Sequence, residues 1–352
     1  MDPALADRAG RLVNVHAALS PVPGGFSIVI PSVRHERAVS LVRSVRALVG
    51  SDIEIVVVDD TSSGAVMKAF ETLLAESDHR LTKVVRGPAK GPSAARNFGA
   101  RSASGPWVLF IDDDVAIGAP ALEAAHVFAA THSTLEALEF AIVSDKRAEN
   151  GSWRWRRVQR LVAGGFLAAC VLVSRESFLA VGGFEESWPY PFREDTDLGL
   201  RLGASGVAWS FVDDHLVTHP DERVTFRQLL RHAKFSRVEP LFMQRHGMTG
   251  TVRTIRLGPL RVRGVRIWFP AASVVGMVVL FALRVPVLAA LLAYLSGSVL
   301  SASHSQYLGY SQPVDLALAV SPSRVIPWSF FSTVSGAAFI RGLIAAYIRP
   351  TV

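Results

Sequence analysis

The sequence predicts an α/β fold: a doubly wound, mostly parallel sheet (Rossmann-like), followed by a C-terminal α-helical membrane hairpin. Three observations predict it. Short apolar runs alternate with helix-length segments through the first 130 residues. Two of those runs stop at acidic clusters. The last hundred residues hold two long apolar stretches.

The elements follow in order. Phe26–Ile30 is an apolar run stopped by Pro31, followed by a helix over Glu36–Val49. Ile53–Val58 is a β-branched run that ends in Asp59-Asp60. The turn Thr61-Ser62-Ser63-Gly64 leads into a helix over Val66–Ala75, and Leu81–Val85 is a third strand. Glycine and proline at 87–92 break the chain before a small-residue helix, Ser93–Ser102. Trp107–Ile111 is a fourth strand, stopped by Asp112-Asp113-Asp114. In a doubly wound sheet, ligands bind beyond the carboxyl ends of the strands, where both acidic clusters fall. The pattern is less regular from 120 to 220: a helix near Pro120–His132, a strand near Ala137–Val143, a basic-aromatic loop at 153–157, the turn Gly182-Gly183-Phe184 and a helix from about Thr196. Residues 223–238 suit a basic amphipathic helix at an interface.

Charge divides the chain. The 352 residues carry a formal +7, and half of them are apolar; the mean hydropathy is +0.31 and the pI about 10. Residues 251–352 hold nine Arg, no Lys and one acid, Asp315, for a net of +8; residues 1–250 are close to neutral at −1. Arginine beside apolar runs points to a membrane surface rather than to nucleic acid. The runs are Pro270–Leu295, interrupted by Arg284 and Pro286, and Val325–Ile348, interrupted by Pro327 and Arg341. Each exceeds the roughly 20 residues of a span. Five Arg at 253–266 precede the first run and Arg349 follows the second. This places the bulk of the chain in the cytoplasm and the 296–323 connection outside. The expected organisation is an N-terminal extension at 1–24 without a secretory signal, a catalytic domain at 25–222, a basic interfacial region at 223–266 and two hydrophobic helices within 267–352. One cysteine, Cys170, excludes a disulfide framework and a zinc–cysteine cluster and reads as a core residue.

Four motifs carry candidate chemistry. Asp112-Asp113-Asp114 is either a solvated acidic turn or a site for a hard divalent cation, Mg²⁺ or Mn²⁺, which would relieve the repulsion of three adjacent carboxylates. Asp59-Asp60 caps the next helix or meets a ligand that spans neighbouring strand ends. In Lys90-Gly91-Pro92-Ser93-Ala94-Ala95-Arg96-Asn97-Phe98-Gly99, small residues allow close backbone approach, and Lys90 and Arg96 add positive charge near a helix start, where anions are favoured. Arg193-Glu194-Asp195-Thr196-Asp197 follows an aromatic, proline-rich loop. Its first two carboxylates are a helix cap or a general base at a cleft rim, and Asp197 and Arg201 form an i,i+4 pair.

The ordered series VVVDDTSSG, KGPSAARNFGARSASGPWVLFIDDD, VGGFEE and REDTDLGLRL resembles the family 2 glycosyltransferases of GT-A fold over about residues 26–240. The resemblance implies inverting transfer of a sugar from a nucleoside-diphosphate sugar, with a divalent cation, Mn²⁺ or Mg²⁺. Carried over by position, Pro31, Ser32, Asp59 and Asp60 would lie about the nucleobase, and Lys90 and Arg96 near the nucleotide. Asp112 and Asp113 would face ribose and metal, with Asp114 the metal ligand. Gly182, Gly183 and Phe184 would shape the donor-sugar and acceptor cleft. Asp195 would be the base, with Glu194 beside it. His219 reads as a further metal ligand or as a structural histidine. Gln228-Leu-Leu-Arg231-His232 resembles the QxxRW motif of processive members with His in place of Trp, which argues against polymer synthesis. The segment 336–343 is similar to the last span of membrane-attached members.

The resulting expectation is a membrane-localised glycosyltransferase with its catalytic domain in the cytoplasm. Its partners would be a nucleotide sugar, membrane lipids and a lipid-linked acceptor (a glycan or polyprenyl phosphate), with no nucleic acid. The alternatives are an inactive membrane-anchored nucleotide-sugar-binding module, or a transferase acting on a soluble or protein acceptor. A nucleotidyltransferase or a dinucleotide-dependent oxidoreductase is disfavoured, because the first loop, PSVRHER, has no glycine.

Overall fold

The computed structural model describes residues 9–12, 25–49, 53–76, 82–145, 155–156, 166–247, 254–257, 260–263, 265–307 and 322–345. In chain order the elements are β1 (Ala9–Leu12), β2 (Ser27–Ser32), α1 (His35–Val49), β3 (Glu54–Asp59), α2 (Ala65–Glu76), β4 (Thr82–Arg86), α3 (Pro92–Ser102), β5 (Trp107–Ile111), β6 (Ala116–Ile117), α4 (Ala119–Thr131), β7 (Glu136–Ser144), β8 (Trp155–Arg156), β9 (Cys170–Ser174), α5 (Arg175–Ala180), α6 (Glu194–Ala204), β10 (Ala208–His219), β11 (Glu222–Arg223), α7 (Phe226–Ala233), α8 (Glu239–His246), β12 (Thr254–Leu257), β13 (Leu260–Arg263), α9 (Val265–Ala282), α10 (Pro286–Tyr307) and α11 (Pro322–Leu343).

One sheet runs β1-β10-β7-β9-β5-β2-β3-β4, with β6 on the side of β10. Strands β5, β2, β3 and β4 are mutually parallel. Strand β9 runs antiparallel to both β5 and β7, so the sheet is mixed beyond its first half. Side chains alternate across it, as the two-residue period of a strand requires. Ile28, Ile30, Ile55 and Val57 pack under α1, α2 and α4 with Phe70 and Phe128. Val29, Val56, Val58 and Phe110 pack on the other face with Phe178, Phe184 and Leu198. With both faces covered, β2 and β3 read as continuous apolar runs. Helix α3 sits close on that second face because Gly99 lies where a side chain would strike Val29 and Val58. The parallel strands end together, and Ser32 of β2 is in register with Asp59 of β3.

The C-terminal region corrects the sequence reading. Among the described residues no helix is long and apolar enough to cross a membrane. The apolar run Pro270–Leu295 is two helices: the chain breaks after Ala282, Arg284 takes a left-handed φ of 60°, and Pro286 opens α10. The run 325–348 lies largely in α11, which carries an internal Pro327, four hydroxyl residues between 329 and 335, and Arg341. The expected two-helix membrane hairpin is therefore a packed set of three helices, α9, α10 and α11. Gly276, Gly297 and Gly336 lie where a side chain would strike Leu292, Ser329 and Pro270 of a neighbouring helix. Val278, Phe281, Leu283 and Val287 keep exposed faces. The expected membrane localisation, the two-span topology about 296–323, and the membrane-lipid and membrane-held acceptor partners lose their basis with the spans. The helix expected over 223–238 is α7 plus a 3₁₀ turn, Lys234–Arg237, and its Leu229 is covered by Trp328 of α11 rather than by an interface. Of the loop at 153–157, only Trp155 and Arg156 lie within the described residues; they pair with Glu222 and Arg223.

Candidate active site

The acidic stop after β5 places three carboxylates in three environments. Asp112 accepts from Arg96 Nη2 at 2.5 Å. Asp113 is nearly buried and accepts from Ser32 Oγ at 2.6 Å. Burial raises its pKa, with Asp114 and Asp112 pushing the same way against Ser32 and Arg34. Asp114 meets Arg37 at 3.0 Å, Arg34 at 3.4 Å and His219 Nε2 at 3.4 Å. Arg34 and Arg37 also reach Glu222 at 3.4 Å.

Asp114 Oδ1 and His219 Nε2 are the donors that could hold a divalent cation, while Asp114 Oδ2 is paired with Arg37 and Arg34. His219 closes β10 and is buried. Its Nδ1 lies 2.9 Å from the Pro220 carbonyl oxygen. A carbonyl only accepts, so Nδ1 carries a proton, and Nε2 is the ring nitrogen that faces Asp114 Oδ1. Such an outer hydrogen bond orients a ligating imidazole. Among the described residues no group of three or more His, Cys, Asp or Glu is assembled as a metal cage. A pair of protein donors suits Mg²⁺ or Mn²⁺, which take one or two side chains together with substrate phosphate oxygens. Asp112, the third expected metal ligand, is instead bound to Arg96.

Arg96 joins the acidic strand end to the carboxylates of α6. It is 5% exposed, with Nη1 3.9 Å from Glu194 Oε1 and its guanidinium 5.3 Å from the Phe184 ring centre. Its Nε and Nη1 are buried without a hydrogen-bond partner. Burial opposes its charge, but Asp112, Glu194 and Asp195 outweigh burial and raise its pKa. Glu194 is pushed up to about 7 by burial first and by Asp195 second, with Arg96 pulling the other way. Asp195 Oδ1 accepts from the Thr196 amide at 2.7 Å.

The nucleobase candidates behave differently from one another. Asp59 is turned into its own loop, accepting from the Thr61 amide at 2.9 Å, Thr61 Oγ1 at 2.5 Å and the Met67 amide at 2.9 Å. Those bonds overcome burial and lower its pKa. Asp60 accepts from the Gly91 amide at 2.8 Å through Oδ2, and its buried Oδ1 has no partner. Pro31 ends the apolar part of β2 and Lys90 is exposed in the loop before α3. Gly182 and Gly183 have φ of 83° and 69°, and at Gly183 a side chain would strike Asn97. Phe184 is buried, and Asn97 brackets its backbone, accepting from its amide at 2.7 Å and donating to its carbonyl at 2.8 Å.

Sequence reasoning missed several participants. Asn97 stood inside a quoted motif without a role. Arg34 and Arg37 bridge Asp114 and Glu222, with Arg37 and Glu222 185 residues apart, a link that only the fold creates. Asp197 makes the expected pair with Arg201, at 2.6 Å, and also accepts from His246 at 2.7 Å and Arg245 at 3.1 Å. Burial alone would raise its pKa; His246, Arg201 and Arg245 hold it down to about 2.

Comparison with known proteins places this geometry. Residues 27–150 match the family described as Glycosyl transferase family 2. An uncharacterized glycosyltransferase of Haemophilus influenzae is 33% identical over 92 residues, 25% of this chain and 29% of that protein. An N-acetylglucosaminyl-diphospho-decaprenol L-rhamnosyltransferase of Mycobacterium tuberculosis is 38% identical over 69 residues, 20% of this chain and 22% of that one. The aligned segments thus span under a third of these curated relatives. Among solved structures, a mannosyltransferase of Pyrobaculum calidifontis in complex with GDP-Man and Mn²⁺ superposes with a TM-score of 0.54 at 16% identity, covering 94% of this chain and 90% of that one. At that identity the likeness is one of fold.

Proposed function

We propose that this chain is a metal-dependent glycosyltransferase. It moves a sugar, with inversion, from a nucleoside-diphosphate sugar to a hydroxyl of a glycan acceptor. The observation that carries this reading is the Asp112–Arg96–Glu194 chain, in which one buried guanidinium brings the acidic strand end and the first carboxylate of α6 together. The family match over 27–150 supports it.

Asp195 takes the acceptor proton as that oxygen forms its bond to the anomeric carbon and the bond to the diphosphate oxygen breaks. Glu194, its pKa raised to about 7, is about half protonated beside Asp195 near neutral pH. The two orphaned donors of Arg96 supply hydrogen bonds for the donor's anionic or hydroxyl oxygens. The orphaned Oδ1 of Asp60 suits an N–H of the base. Asp114 and His219 hold the cation, which when bound supplies positive charge for the departing diphosphate.

The test is nucleoside-diphosphate release from a panel of nucleotide sugars with glycan acceptors, with Mn²⁺ or Mg²⁺ and with chelator. Acceptor-stimulated release that chelator abolishes is expected. Binding without turnover across the panel, or turnover indifferent to chelator, would overturn the reading.

A further inference from the structure

The residue before the two carboxylates of α6 is in an unusual state. Arg193 has φ 69° and ψ −1°, and no side chain caps the helix it opens. A left-handed non-glycine residue is strained and persists only where its surroundings over-determine it. Here they do. Arg193 Nε and Nη2 donate to Glu239 Oε1 at 3.1 and 2.9 Å. Its guanidinium lies 5.5 Å from the Phe192 ring centre and 5.4 Å from that of Phe242. Its carbonyl accepts the Asp197 amide at 2.8 Å. Glu239 and Phe242 both belong to α8, which also supplies Arg245 and His246 to Asp197. Helix α8 therefore grips α6 immediately before and immediately after Glu194 and Asp195. It lies outside the segment that matches the family, and it is backed by the C-terminal helices: Gly342 of α11 lies where a side chain would strike Pro240 and the Arg237 backbone.

We propose that Arg193 is a positioning residue for Asp195: clamped by Glu239, it holds the left-handed turn that sets the direction of the Asp195 carboxylate. This rests on the glycosyltransferase reading for its catalytic consequence. A glycine is relaxed at this φ, so a structural turn alone would be equally well served by Gly. The arginine is needed if the turn has to be held in one orientation.

The test uses Arg193→Gly and Glu239→Gln in the full chain. For Arg193→Gly, kcat is expected to fall about 10-fold or more with the donor KM within about 2-fold, and methylguanidine is expected to restore part of the rate. Glu239→Gln, which keeps an acceptor but loses the charge, should fall between that variant and the unmodified protein. Amide hydrogen exchange at residues 194–198, measured without substrate, should rise in Arg193→Gly while the β2, β3 and β5 amides stay protected. Unchanged exchange at 194–198 overturns the proposal whether or not the protein turns over sugar nucleotides. So does a kcat loss that methylguanidine leaves untouched and Glu239→Gln does not share. Absence of turnover in the unmodified protein counts against the glycosyltransferase reading alone, and the exchange result still decides the clamp.

Discussion

Two carboxylates in the first turn of α6 sit in opposite electrostatic states. Glu194 is held up to about 7 by burial and by Asp195, with one distant guanidinium to offset them. Asp197, three residues on and fully buried, is held down to about 2 by Arg201, Arg245 and His246. The same helix thus carries a carboxylate raised by burial, Glu194, and a charge-saturated anchor, Asp197. On the proposed reading, the carboxyl beside the base keeps a raised pKa while the anchor is saturated with cations. The largest effect should come from the unsaturated side. Asp195→Asn is expected to cut transfer by about 10³-fold, within the range of a lost general base, while donor binding by calorimetry stays within about 2-fold. Full turnover in that variant would remove the distinction between the two ends of the turn.

The saturated side predicts a stability effect. Asp197→Asn leaves Arg201, Arg245 and His246 crowded without their anion, and breaking a buried pair from one side costs about 3 kcal/mol. Denaturant titration at pH 7 measures it. The pH dependence has a definite sign. The Asp197 pKa is lower in the fold than in the unfolded chain, so its contribution is present above about 4 and disappears as pH falls from 3.8 toward 2. The cost of Asp197→Asn should shrink over that interval. An equal cost at pH 7 and pH 2.5 would mean that packing, not charge, fixes the anchor.

The unsaturated partner has the opposite sign. Glu194 binds its proton more tightly in the fold than in the unfolded chain, so the fold loses stability as pH rises from 4.5 to about 7. Glu194→Gln should therefore stabilise the protein at pH 8, on the order of 3 kcal/mol for a shift from 4.5 to about 7, and leave it unchanged below pH 4.5. Thermal melts at the two pH values test it. Destabilisation at pH 8 would show that Arg96 needs the Glu194 charge more than burial penalises it.

The contrast also explains how much the sequence could disclose. Strands β2, β3 and β5 were legible because burial on both faces makes an apolar run and because the run stops where carboxylates begin. The pair Asp197–Arg201 was legible because it is local to one helix. The links Arg193–Glu239 and Asp197–His246 join residues 46 and 49 positions apart and leave no periodic trace. Strand β9, antiparallel between β5 and β7, has no signature of its own, because direction within a sheet is not encoded in hydropathy. The first C-terminal run reads as one span only if its length is counted across Arg284. Its left-handed backbone breaks the first run into two helices, so three helices pack together where two spans had been expected.

The smallest effect concerns a motif whose resemblance was functional and whose observed contacts are structural. Gln228 belongs to the segment resembling QxxRW. In the fold its Oε1 accepts from the Thr225 amide at 2.8 Å while its own amide donates to Thr225 Oγ1 at 3.2 Å. That is a complete capping box opening α7. Gln228 is exposed, and its side-chain acceptor is spent on the N-terminus of its own helix. A residue in that state belongs with Asp197, among the saturated groups. Gln228→Ala should cost about 0.5–1 kcal/mol of stability, the usual scale of a lost cap, with kcat and the donor KM both within about 2-fold. Thr225→Ala should match it, and the double variant should cost little more than either, because both remove the same reciprocal pair. A loss of turnover in Gln228→Ala that Thr225→Ala does not reproduce would move Gln228 to the reactive side, since the cap is the only thing the two substitutions share.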